Sequence, residues 1–271
     1  MSHPQPTVLL TNREHFLTPF LMNAFNGTPI SFFPSDAPDT SIMVHYGTND
    51  ATIVPETNNI LADVAKLPRH VVFISSWEIY GHRSFENLTE NSPAMGQWAE
   101  AENAISERAT HDGASLSILR PGIIIGTGMD GYAREIVNGI SRATYCHIEG
   151  NDARISAIHS LDVAQAAKNI VGKNGTFNIS DGIDPTIEQL AEALAWRIGH
   201  KRIFSITPPK AHRMARVGDF IPFISPLDSR KLKMQTTTRT LSIENISQTI
   251  NFHPINVIEY LTNHIYDESD I

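Results

Sequence analysis

The sequence predicts an α/β protein: a Rossmann-like, mostly parallel sheet flanked by helices, shortened at one edge, with a small C-terminal α+β substrate lobe. Three observations predict it. Short apolar runs alternate with stretches of helical periodicity along the first half of the chain, the signature of βαβ units. Beyond about residue 145 that alternation breaks into short pieces rich in proline and mixed charge. With 271 residues, 41% of them hydrophobic, the chain can bury one large core, or a core and a lobe.

The elements follow in order. Val8, Leu9 and Leu10 run together as a buried strand does, and the chain turns at Thr11 and Asn12. Pro19 directly after Thr18 suits a helix that starts at Thr18, because proline is pre-organised for the first turn and needs no donor there. Further apolar runs at 30–33, 42–45, 71–75 and 117–119 are read as strands, and the patterns at 58–66 and 98–109 as helices. Thr186 with Gln189 forms a capping box. Ile187, Leu190, Ala191, Leu194 and Ile198 make one helical face, and Gly199 closes it. The stretch TPPKAHRMARVGDFIPFISPLDSRK (207–231) reads as loop or short-helix lobe. The expected division is a Rossmann-like domain over 1–150, continued by 156–182, with 183–271 as substrate lobe and closing helices.

Composition excludes several classes. A net charge of -8 without a run of Lys or Arg argues against nucleic acid and anionic membrane as partners. Cys146 is alone, so no internal disulfide forms, and a cytoplasmic, reducing compartment is expected. No apolar run reaches the roughly 20 residues of a membrane span, and residues 1–6 are too polar for a signal peptide. The twelve histidines are scattered without HxH or HExxH spacing, so no metal site is expected.

Four segments together resemble the extended short-chain dehydrogenase/reductase family, the NAD-dependent epimerases and dehydratases. VVFISSWEIYG (71–81) is similar to that family's strand ending in Ser-Ser and Tyr-Gly. LRPGIIIGTG (119–128) is similar to its Arg-Pro strand end beside the nicotinamide. RISAIHSLDVAQAA (154–167) resembles the segment joining sheet to lobe, and GTFNISDGIDPTIEQLAEAL (175–194) the strand, loop and helix that follow. Order and spacing agree over about residues 7–200. The resemblance implies a Rossmann-type sheet and a lobe that often takes nucleotide sugars. It also implies a ligand cleft near Tyr80, Pro121, Arg154 and His159, where Arg154 would hold a nucleotide-sugar phosphate.

The departures from the family pattern are large. Its glycine fingerprint permits the tight turn, the approach of pyrophosphate and close helix packing. Asn12, His15 and Thr18 stand at those offsets. Asn12 tolerates positive φ, but the His15 side chain would occupy phosphate space. Glu14 is either the carboxylate that replaces the lost phosphate at the helix terminus or an ordinary exposed residue of a drifted loop. Only residues 35–40 separate the second strand from what resembles the family's fourth, too few for a crossover of about a dozen residues. Asp36 stands near the place of a ribose-binding acid, about 20 residues past the loop. The family's proton donor is a Tyr with Lys four residues on. Here the residues four beyond the tyrosines are Asp50, Ser84, Ile136, Glu149, His264 and Asp270, and Ala94 and Trp98 align with the pair. Trp98 is expected to fill the lysine's space as packing.

Ser76 matches the family's third catalytic member, or is a strand-end serine satisfying backbone. Glu78 matches an acid of the sugar-nucleotide dehydratases, at a strand's carboxyl end where open α/β sheets bind ligands. The expectation is therefore a degenerate family member, a pseudoenzyme keeping a cleft for a small molecule such as a nucleotide sugar, or for a second copy or protein partner. No cofactor is expected. One alternative is redox-independent acid/base chemistry through Ser76 and Glu78 on a nucleotide-sugar-like substrate. Another is an NAD(P)-dependent epimerase or reductase with an atypical cofactor site.

Overall fold

The computed structural model describes residues 7–33, 41–81, 83–129, 131–199, 202–221 and 227–263. Its centre is a six-stranded, wholly parallel sheet of β1 (Val8–Leu10), β2 (Ile30–Phe32), β3 (Ile42–Tyr46), β4 (His70–Ile74), β6 (Ser115–Pro121) and β10 (Gly175–Ile179). Their order across the sheet is β10-β6-β4-β3-β1-β2. The period of two along each strand splits the core between the faces. Leu9, Met43, Val71, Phe73 and Ile118 pack on one side, and Val8, Leu10, Val44, Val72, Ile74 and Leu119 on the other. Helices α2 (Ile53–Asp63) and α3 (Gly96–Asp112) lie together on the first face, and α1 (Thr18–Ala24) and α5 (Ser160–Asn169) on the second.

The sheet ends at β2, so one edge is short as expected. The link from β2 to β3 does cross between parallel strands on opposite sides of β1, which the sequence argument excluded. The reason is length: β2 has three residues, so the return spans only about 10 Å. Asp36 and the other residues of 34–40 lie outside the described residues.

Three two-stranded parallel pairs surround the sheet. β5 (Phe85–Leu88) pairs with β12 (Arg239–Leu241), β7 (Ile123–Ile125) with β9 (Ala157–His159), and β8 (Cys146–Ile148) with β11 (Phe204–Ile206). The last pair packs with α7 (Pro208–Phe220) and α8 (Ser229–Thr236) around Cys146, Ile148, Ile206, Ala211, Ala215, Leu227 and Leu232, a separate small core for the lobe. The lobe stretch is thus more regular than its prolines suggested. Pro208 and Pro209 occupy the first turn of α7, where a missing N–H costs nothing. The remaining helices are α4 (Gly131–Ser141), α6 (Ile187–Arg197), α9 (Glu244–Thr249) and α10 (Val257–Asn263). α6 carries its capping box, with the Gln189 N–H donating to Thr186 Oγ1 at 3.1 Å and the Thr186 N–H to Gln189 Oε1 at 2.9 Å. Ala101 and Ile105 of α3 are buried in the chain's own core. No helix among the described residues is long and apolar enough to cross a membrane.

Candidate functional site

A cleft of about 470 Å³ opens at the carboxyl ends of β1, β3, β4 and β6, where parallel sheets present their ligand sites. Its near wall is the loop 14–17 with Gly47 to Asp50. Its far wall is Ser75 to Glu78 with Trp98, Pro121, Gly122, Tyr132 and Arg134.

The loop after β1 is tied down by its own side chains. The Asn12 carbonyl accepts from Thr18 Oγ1 at 2.6 Å and from Tyr46 OH at 2.7 Å. Asn12 is not among the residues of positive φ. His15 turns inward: its Nδ1 accepts the Leu17 N–H at 3.2 Å and its carbonyl the Thr18 N–H at 2.9 Å. Its ring lies 4.4 Å from Phe16 and edge-on to Tyr46 at 5.0 Å. Phe16 in turn presses on Gly128, where an added Cβ would come within 2.4 Å of the Phe16 Cβ. The N–H groups that a glycine loop would offer to pyrophosphate are therefore occupied by His15, not by a Glu14 carboxylate. Glu14 is exposed, and its N–H donates to Asn12 Oδ1 at 3.2 Å.

Burial drives the His15 pKa down to about 4, a hydrogen bond to the Gly47 backbone offsets part of the shift, and Arg134 adds to it. The ring is neutral at pH 7, which leaves Nδ1 free to accept. A group whose neutral form is favoured in the fold binds fewer protons there than in the unfolded chain between the two pKa values. His15 thus contributes stability above its unfolded value of 6.5 that is lost as the pH falls towards about 4. An NMR titration is expected to find this ring neutral down to about pH 4. A midpoint near 6.5 would mean that the ring is solvated and the loop open.

Ser76 caps the 3-10 turn Trp77–Tyr80: its Oγ accepts the Glu78 N–H at 3.1 Å, the backbone role of a strand-end serine. The same turn aims Glu78, half-buried, at the cleft and rotates Tyr80 away from it. Tyr80 is fully buried. Its OH donates to Asn178 Oδ1 at 2.5 Å and accepts from Arg120 Nη1 at 3.0 Å. Arg120 also forks onto Glu102 of α3, at 2.9 and 2.6 Å. Burial raises the Tyr80 pKa. Of the four cleft positions read from the sequence, Pro121 lines the cleft, whereas Tyr80, Arg154 and His159 do not. Arg154 is exposed and donates to the Asp184 carbonyl at 2.9 Å. His159 caps α5, its Nδ1 accepting the Leu161 N–H at 3.2 Å, with its ring 4.2 Å from Tyr260.

Ala94 does not sit on a helix with Trp98, because α3 begins at Gly96, so the Tyr–Lys spacing cannot be rebuilt there by two substitutions. Trp98 is 6% exposed and 6.5 Å from Phe73, yet it also lines the cleft, and its indole N–H is buried without a partner. Ser75 Oγ is buried without a partner in the same wall. Buried donors are nearly always satisfied, so two orphans in one wall mark a place for ligand acceptors. At that end the cleft offers Trp98 Nε1 and Ser75 Oγ, donors that a nicotinamide dinucleotide's polar atoms would satisfy. At the other end His15 displaces the glycine-loop mode of holding the diphosphate, and Arg134 is the cation at hand. Sequence reasoning gave no weight to Ser75 or the Gly47–Asp50 loop. Their only signal is that they follow the last apolar residue of a strand.

No family model matches the chain, and no curated protein matches it in sequence. Solved structures do match in shape. UDP-glucose 4-epimerase from Thermotoga maritima with UDP-glucose superposes at a TM-score of 0.69, with 14% identity over 94% of this chain and 96% of that one. UDP-glucose 4-epimerase from Thermus thermophilus in complex with NAD gives 0.66, with 14% identity over 94% and 96%. The human epimerase family protein SDR39U1 with NADPH gives 0.68, with 12% identity over 96% and 100%. These neighbours overturn the expectation of no cofactor, which rested on the missing glycines and the short link at 35–40: proteins sharing this fold over nearly the whole chain are nicotinamide complexes. The chain has the fold of the extended short-chain dehydrogenases and epimerases, with the loop after the first strand rebuilt around His15.

Proposed function

We propose that the cleft binds a nicotinamide dinucleotide and that the protein does not use it for Tyr–Lys hydride chemistry: a cofactor-binding pseudoenzyme on an epimerase fold. The observation that carries the reading is Trp98, whose indole stands in the cleft wall where the resemblance places the catalytic lysine. Trp98 Nε1 and Ser75 Oγ would donate to ligand acceptors, Pro121 and Gly122 would form the floor, and Arg134 would balance the diphosphate in place of the helix terminus. A bound nicotinamide would supply a hydride donor or acceptor. Among the cleft's hydroxyls, Tyr46 OH is bonded to Thr18 and the Asn12 carbonyl, and burial pushes its pKa up to about 12, so it is a poor proton donor.

A second reading is favoured by Glu78, a half-buried carboxylate in the same wall. It would act as general acid/base on a nucleotide-sugar-like ligand without net redox change. Incubation with UDP-glucose and either NAD or NADP separates the readings. The expected outcome is neither epimer nor reduced cofactor. Turnover without added nicotinamide that Glu78→Gln abolishes would favour the second reading, and epimer formed only with NAD or NADP present, or net reduction of the cofactor, would overturn the first.

A further inference from the structure

We propose that His147, Glu188 and Glu192 form a divalent transition-metal site that staples the lobe strand β8 to helix α6. One ligand atom from each, the His147 imidazole nitrogen and two carboxylate oxygens, lies within 4.8 Å of the others. His147 is 6% exposed, and its Nε2 is buried with no hydrogen-bond partner. The nearest carboxylate oxygen, Oε1 of Glu192, is 4.0 Å away, beyond hydrogen-bond reach. A buried nitrogen aimed at two carboxylates and bonded to neither is what an empty coordination site looks like.

The carboxylates point the same way. Glu188 and Glu192 are four apart on α6, so they share a face and repel. Neither pairs with a Lys or Arg among the described residues. A cation would relieve that repulsion and give His147 Nε2 its partner. Zinc–nitrogen and zinc–oxygen bonds of about 2.0–2.2 Å place bound ligand atoms about 3–3.5 Å apart. The required approach is of the order of 1 Å and is open to Glu192, whose side chain is 65% exposed. A mixed imidazole and carboxylate set favours Zn²⁺, Co²⁺ or Ni²⁺ over Mg²⁺ and Ca²⁺, and three protein ligands leave a position for water. Because its ligands come from a strand and a helix distant in sequence, the site has no motif spacing.

The experiment is a calorimetric titration of the full chain with Zn²⁺, repeated with Mg²⁺, together with the visible absorption of the Co²⁺ form. The expected result is one Zn²⁺ bound per chain, a raised melting temperature, no response to Mg²⁺, and at least a tenfold loss of Zn²⁺ affinity in Glu188→Gln/Glu192→Gln. His147→Ala should abolish binding. If it fails to fold, the double Gln variant, which alters no buried residue, still decides. Zn²⁺ binding of equal strength in the double variant, or no binding by the native chain, would overturn the proposal. The former would assign the metal to other histidines.

Discussion

Arg120→Met is expected to destabilise the protein by about 3–5 kcal/mol, because it leaves a buried carboxylate without its partner. Arg120 and Glu102 are each 5% exposed. Arg120 joins α3, the strand end of β6 and the turn Trp77–Tyr80 through Glu102, Tyr80 OH and the Glu90 carbonyl, the last at 3.1 Å. Asn178 extends the network, its side-chain amide donating to the Leu88 carbonyl and its N–H accepted by Glu90 Oε1, both at 2.8 Å. Removing one member leaves several polar groups unsatisfied, and the cost exceeds that of one hydrogen bond. Arg120→Met with Glu102→Leu removes both charges and should recover much of the loss, as replaced buried pairs do. Denaturant unfolding of the single and double variants measures both. A single variant within 1 kcal/mol of the parent, on the scale of an exposed ion pair, would show that water reaches the pair.

Trp98→Ala is the other large expected loss, about 3–5 kcal/mol for a buried aromatic truncated to a methyl. Its indole packs between Phe73 and the cleft, so the hole would open towards ligand space. Trp98→Phe separates its two roles. It keeps most of the packing and deletes the orphan donor, so it should cost little stability yet weaken dinucleotide binding by about tenfold, the worth of one hydrogen bond. Unchanged affinity in the phenylalanine variant would reduce Trp98 to packing alone.

Much of the fold was legible because it rests on local rules. The runs Val8–Leu10, Ile42–Tyr46 and His70–Ile74 are apolar at every or nearly every position, as strands buried on both faces must be. Two helix starts were legible: α1 from Pro19 in its first turn, and α6 from the capping box of Thr186 with Gln189. The start of α2 at Ile53 was not legible, since Pro55 reads as a breaker while standing in the first turn. Within the cleft, Glu78, Ser76 and Pro121 were legible from the sequence as site residues. Tyr80 was assigned to it by the resemblance of residues 71–81, and the 3-10 turn sends that side chain into the core instead. His15 was recognised as an obstacle to phosphate. That its imidazole takes over the helix terminus depends on Tyr46 and Gly47 arriving from elsewhere in the fold, which no local pattern records.

On the proposed function, an epimerase-fold cleft with a His15-filled phosphate loop still binds a nicotinamide dinucleotide. Calorimetric titration of the native chain with NADH and NADPH, alongside Arg134→Ala, decides it. A saturable one-to-one isotherm for at least one dinucleotide is predicted, weakened roughly 10- to 100-fold in Arg134→Ala, as loss of a charge-assisted contact would be. No heat from either dinucleotide, or an isotherm indifferent to Arg134, would contradict it.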